Sequence, residues 1–303
     1  MAGFFGLFDY AKPGKGIEPD APKKHPFFLF WELLWRKISR LVLVNVIYFA
    51  VLSPLITLVY MLLYTQLIES FPDMVYTPFA STLFSVAAWL LSHAPWLAYL
   101  LVGLSVVLYG PVTCGFTYIL RNFAREEHAW LTDIIDRTKR NFRQGLLLGL
   151  MDIVVVVFLM YSISYTMGIV ADSAAIGSMM TLSRYISMVV LVLYMFMRHY
   201  TYLLAVTFEL KMIQIIKNSL LFTILALWRN LLVTVLIAVL VLAIFLIHPM
   251  VEFILIPLFL FSFCGFIGVF TTYPVVKRYM IDALIKKRGE QEDDSAEENL
   301  LNS

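Results

Sequence analysis

Long apolar runs separated by short polar stretches fill this chain, and several are long enough to cross a hydrocarbon core of roughly 30 Å at about 1.5 Å per residue. Spans are expected at residues 41–68, 96–120, 145–167, 182–207, 231–247 and 253–276. The runs are continuous, without the ten-residue alternation of an outer-membrane strand, so a β-barrel does not fit. The pattern predicts an all-α fold, a polytopic membrane helix bundle of about six transmembrane helices with amphipathic helices on its cytosolic face.

The connecting stretches differ in kind. Residues 1–24, rich in Gly, Pro and Lys, predict an irregular cytosolic arm. A single membrane-embedded helical domain is expected over 25–288, followed by an acidic, disordered cytosolic tail at 289–303. FFLFWELLWRKISR at 27–40 predicts an interfacial entry helix, with Trp31 and Trp35 on one side and Arg36, Lys37 and Arg40 toward headgroups. The apolar piece at 81–92 is too short to cross and predicts an outer-surface or re-entrant helix. External loops are expected at 69–77, 168–181 and 248–252. Pro54 in the first span, and Gly110 with Pro111 in the second, predict helix breaks. Gly145 and Gly149 set a small-xxx-small spacing that would let another helix approach closely.

Between the second and third spans, residues 121–144 place Phe123, Trp130, Leu131, Ile134, Ile135, Thr138 and Phe142 at helical spacing, with Arg125, Arg137, Arg140 and Arg143 between them. One amphipathic helix is expected there, with Arg125, Trp130, Arg137, Arg140 and Phe142 as its partner-facing residues. A second is expected over 209–229.

Composition excludes a soluble class: 61% of the 303 residues are hydrophobic and 15% charged, and the mean hydropathy is +0.83. A net charge of +2 gives no reason to expect nucleic acid. Of the 23 Lys and Arg residues, all but Arg184 fall at the N-terminal region, the second and fourth connections and the tail. The positive-inside rule then predicts cytosolic termini, with Arg184 snorkelling to the outer surface. No cleavable leader is expected.

Few residues offer chemistry. Asp152 lies about 10 Å into the third span, and an intramembrane acid is a functional candidate unless it is a structural partner of an arginine. Arg198, His199 and Glu209 are the groups expected to pair with it or with one another. The five His are scattered and the two Cys, Cys114 and Cys264, sit in apolar runs, so no metal, disulfide or cofactor site is expected. Neither a phosphate-binding loop nor a nucleophile elbow is present, and no catalytic residues are assigned.

The segments GPVTCGFTYILRNFAREEHAW and KRNFRQGLLLGLMD, with the opening FFGLFDYAKPGKG and APKKHPFFLFWELLWRKISRLVLVNVIYF, resemble the YesL-like family of bacterial integral membrane proteins. The resemblance is specific over the first half and rests on pattern over the second; the piece at 81–92 departs from it. It implies a bacterial cell membrane location. The family is of unknown function, and some members are thought to accompany carbohydrate uptake systems. The expectation is a non-enzymatic accessory or regulatory component, whose partners are the lipid bilayer and a membrane transporter subunit or a second copy of itself. The competing expectation is a small transporter or channel with a cavity near Asp152, onto which the Pro54 and Gly110–Pro111 breaks would open.

Overall fold

The computed structural model of the protein describes residues 24–70, 78–168 and 174–286. Every regular element in them is helical, and six helices are long and apolar enough to cross a membrane. In chain order the α-helices among the described residues are α1 (Pro26–Ser70), α2 (Pro78–His93), α3 (Pro95–Ala124), α4 (Thr132–Arg140), α5 (Phe142–Gly168), α6 (Ala174–Thr207), α7 (Met212–Leu225), α8 (Leu227–Ile247), α9 (Pro249–Leu255) and α10 (Phe261–Val276). One-turn π-helical segments lie at Ile256–Leu260 and Lys277–Ile281. Proline opens α1, α2, α3 and α9, at a position where its missing N–H would have no helical partner anyway.

Contacts divide the chain into a unit of residues 1–36 and one of residues 37–303. In the first, Glu32 meets Lys24 at 2.6 Å and Arg36 at 3.9 Å, while Phe28, Trp31 and Trp35 are exposed. The separate entry helix expected at 27–40 is the opening of α1, because neither glycine nor proline divides it from the span.

The second unit is packed around α3, which touches α2, α4, α5, α6 and α10. From Tyr109 to Phe123 every residue except Tyr118 is buried, the signature of a helix covered on all sides. Its tightest neighbour is α5. A Cβ built on Gly149 would lie 2.7 Å from the Gly110 Cα, and one on Gly145 would lie 2.7 Å from the Pro111 Cα, so the two backbones touch.

The expected breaks at Pro54 and at Gly110–Pro111 are absent: α1 and α3 run through them. Pro54 frees the Ala50 carbonyl, which accepts from the Ser53 hydroxyl at 3.5 Å, while the carbonyl of the next residue, Val51, accepts from Ser105. Gly110, before Pro111, lacks the Cβ that the proline ring would strike in a helical conformation. The helical pitch changes instead at Ile256–Leu260, beside Pro257. There the buried Asn45 donates to the carbonyls of Ile256 (3.0 Å) and Pro257 (2.7 Å) and accepts from the Ser262 N–H (2.7 Å), replacing ladder bonds lost in the wide turn.

The single amphipathic helix expected over 121–144 is in fact three pieces. α3 continues to Ala124, a turn follows, α4 spans nine residues, and α5 starts at Phe142. The turn ends α3 in a Schellman arrangement: Glu127 N–H donates to Asn122 O at 2.8 Å, Glu126 N–H donates to Phe123 O at 3.2 Å, and Glu126 has φ 62°. A side chain in the left-handed region is strained. Glu126→Gly should therefore raise stability by about 0.5–1 kcal/mol, read as a higher unfolding midpoint in detergent; a lowered midpoint would contradict this account.

The helix expected over 209–229 is likewise divided, into α7 and the first turn of α8, which carries Arg229. α6 begins at Ala174, shortening the loop expected at 168–181, and the last helical run reaches Lys286 instead of 276. The apolar piece at 81–92 is the core of the 16-residue α2, none of whose residues is buried. Residues 1–23, 71–77, 169–173 and 287–303, which hold most of the expected arm, two outer connections and the acidic tail, lie outside the described residues.

Candidate functional site

Asp152 lies on α5, one turn past Gly149 and two turns past Gly145, the glycines that bring α5 against α3, and that contact sets it beside Tyr109. α6 supplies the other side: Tyr194, Arg198 and Tyr202 are four residues apart, so all three project from one helix face. Their donors converge on one carboxylate. Tyr194 donates to Oδ1 at 2.5 Å, while Tyr202, Arg198 Nε and Tyr109 donate to Oδ2 at 2.7, 3.0 and 3.2 Å. Arg198 Nη2 also donates to the Tyr109 hydroxyl at 2.6 Å, and the guanidinium lies over the rings of Tyr109 and Tyr202.

The arrangement is closed. Four donors converge on the carboxylate, three on Oδ2 and one on Oδ1. The Asp152 side chain is 3% exposed. A cavity of about 170 Å³ lined by Tyr48, Thr113, Arg198, His199, Tyr202 and Cys264 reaches two members of the cluster but not Asp152 itself. The chemistry available is that of a neutralised, hydrogen-bonded pin joining α3, α5 and α6. Such a pin is compatible with a membrane interior, where an unpaired charge would be costly.

The other candidates separate. Glu209, expected near Asp152, instead meets Arg140 at 2.7 Å, with both side chains largely exposed. His199 approaches Thr234 Oγ1 at 3.4 Å and packs beside Gly268 on α10, away from the carboxylate. Arg184 donates to the Thr166 carbonyl near the end of α5, so its polar head is held by the helix terminus. Pro54 lines an apolar cavity of about 410 Å³ with Leu58, Leu83, Leu90 and Tyr99, remote from the lining around Arg198, while Gly110 and Pro111 are buried against α5. The expected opening of these positions onto a shared cavity at Asp152 is therefore not formed.

The five residues expected to face a partner are not on one helix. Arg125 and Trp130 sit in the turn before α4, Arg137 and Arg140 on α4, and Phe142 at the start of α5. α4 is pinned to α3: Ile134 is buried, and its carbonyl would lie 2.6 Å from a Cβ on Gly115. Arg125 is tied to Glu127 at 2.7 Å, and Arg137 donates to the Tyr118 hydroxyl at 3.0 Å. Trp130 remains 69% exposed, with Arg40 over its ring, and Ile135 is also exposed.

At this basic end lies an open cavity of about 580 Å³, lined by α3, α4, the start of α5, the end of α6 and the connection to α7. Neither its Arg121 nor its Lys211 stood out in the sequence, because the residues come from separate segments. Tyr194 and Tyr202 lie four residues either side of Arg198, the one sequence signal that places them on its helix face, and Tyr109 carries none. Among the described residues no group of three His, Cys, Asp or Glu side chains could hold a metal ion.

These features define a multi-pass helical membrane protein with a closed intramembrane acid–arginine–tyrosine cluster and an open basic cavity near one end. A family profile described as "Protein of unknown function, DUF624" matches residues 89–163. The matched stretch contains Tyr109, Gly110, Pro111, Gly145, Gly149 and Asp152 and ends before α6. No curated protein and no solved structure matches the chain.

Proposed function

We propose that the protein is a non-enzymatic accessory or regulatory component of the bacterial cell membrane, of YesL-like type, which acts by recognition at its cytosolic face. The observation that carries this reading is the enclosure of Asp152. A carboxylate that accepts from Tyr109, Tyr194, Tyr202 and Arg198 and whose side chain is 3% exposed is not presented to a passing solute. The open features, Trp130, Ile135 and the basic cavity, lie instead at the end that the charge distribution assigns to the cytosol. Both termini then lie in the cytosol.

The partner is a membrane transporter subunit, and the resemblance makes a carbohydrate uptake system the first to try. Photo-crosslinkers at Trp130 and Ile135 in intact membranes should give an adduct with such a subunit, identified by mass spectrometry. Adducts with a second copy of this chain alone would replace that partner by a homo-oligomer. The transporter reading draws on the cavity at Arg198 and His199. It predicts a solute flux in proteoliposomes that Asp152→Asn abolishes, and that flux in a chain recovered alone would overturn the accessory role.

A further inference from the structure

We infer that the basic cavity is a binding site for a phosphate group, carried by an anionic lipid headgroup or by a soluble phosphorylated molecule. Four cations line it, Arg121, Arg137, Arg140 and Lys211, against one carboxylate, Glu209. That carboxylate is already engaged by Arg140 at 2.7 Å, so the other three cations have none on the wall. Its volume, about 580 Å³, falls in the range of small-molecule sites and exceeds what a bare anion needs.

The strongest sign is Arg121. Its residue is only 8% exposed, yet among the described residues it has no carboxylate within salt-bridge distance. Its guanidinium donates to neutral acceptors alone: the Val206 carbonyl at 2.9 Å, Thr207 Oγ1 at 3.2 Å, and Asn122 Oδ1 at 3.0 and 3.3 Å. Arg137 stacks on the ring that Arg121 also covers, that of Tyr118, at 4.2 and 4.7 Å from its centroid. Two guanidiniums held on one ring repel each other, and an anion beside them would offset that repulsion. The backbone N–H groups of Glu209 and Leu210, also on the wall, donate no hydrogen bond among the described residues. One buried arginine without a carboxylate partner, two more open ones, unpaired backbone N–H groups and a lysine match the chemistry of a phosphate, which accepts several charge-assisted hydrogen bonds at once. A carboxylate ligand would use fewer of them.

The inference concerns the isolated chain and stands apart from the partner proposed above, so either can fail without the other. Inorganic pyrophosphate is titrated calorimetrically into the full chain in phosphatidylcholine nanodiscs. In parallel, native mass spectrometry follows retention of phosphatidylglycerol by detergent-solubilised protein. Saturable pyrophosphate binding points to a soluble source, and retention of a lipid that pyrophosphate displaces points to the headgroup. Either signal should fall about tenfold or more in Arg137→Gln and in Lys211→Gln, variants on the wall that leave buried Arg121 in place. Lys139→Gln makes the same charge change on the exposed side of α4, outside the cavity, and should leave binding within about twofold. Failure to bind either probe, or an equal loss in all three variants, overturns the site.

Discussion

Asp152→Ala should destabilise the folded protein by about 3 kcal/mol or more, the cost of leaving one member of a buried ion pair without its partner. The lost carboxylate strands Arg198 Nε and the hydroxyls of Tyr194 and Tyr202, whose protein hydrogen bonds end on Asp152. The lower end of the 3–5 kcal/mol range usual for buried pairs is the sensible expectation, because the Arg198 side chain is 34% exposed and can be partly solvated from the adjoining cavity. Combining Asp152→Leu with Arg198→Leu should restore part of the loss, since it removes the unpaired guanidinium but leaves the Tyr194 and Tyr202 hydroxyls without their acceptor. Reversible unfolding in bicelles gives both numbers. A single-variant loss below about 1 kcal/mol would mean that the cluster does not hold α5 to α6.

Gly110→Ala is expected to be at least as damaging. Its added methyl would point at the Gly145 carbonyl and lie 2.8 Å from the Gly149 Cα, so it meets backbone on every near side. No rotamer change relieves a backbone clash, and overpacking typically costs about 1–3 kcal/mol with the stiffest sites above that. We expect about 3 kcal/mol or more here, with α3 and α5 forced apart and the Tyr109–Asp152 contact lengthened. Gly103→Ala, on the same helix with nothing within 4 Å of the added carbon, should be neutral or stabilising by up to about 1 kcal/mol. Equal effects of the two substitutions would refute the close contact. Loss of the Tyr109–Asp152 bond in Gly110→Ala alone would support it.

These expectations show how unevenly the site could be read. Asp152 stands out because an acid in an apolar run is either functional or paired with an arginine, and Arg198 on the fourth span is a candidate partner. The three tyrosines do not stand out, since a tyrosine in a span reads equally well as an interface anchor. Only their convergence on one carboxylate separates the two roles. Glu209 and His199 are candidates because they lie on or just below the span that carries Arg198, whereas helix rotation turns His199 toward Thr234 and the α6–α7 connection carries Glu209 to Arg140. Pro54 and Pro111 misled for a local reason. A proline removes one hydrogen bond, but whether the helix breaks depends on who takes the freed carbonyl, and that partner is tertiary or lies outside the proline's own pattern.

The hydrophobic pattern by itself determined the class and the helical architecture. Long apolar runs leave a lipid-solvated chain little choice but to satisfy its backbone within each segment. The same pattern located Asp152 and the Gly145–Gly149 spacing. Tertiary structure alone decided what each of these meets: Gly110 against Gly149, three hydroxyls and a guanidinium on Asp152, and Arg121, Arg137 and Lys211 around one cavity. Burial in lipid specifies which segments are helices, because that is a property of each segment's own polarity. Rotation, depth and pairing depend on packing between segments far apart in sequence, and a one-dimensional pattern of apolar residues carries almost none of that information.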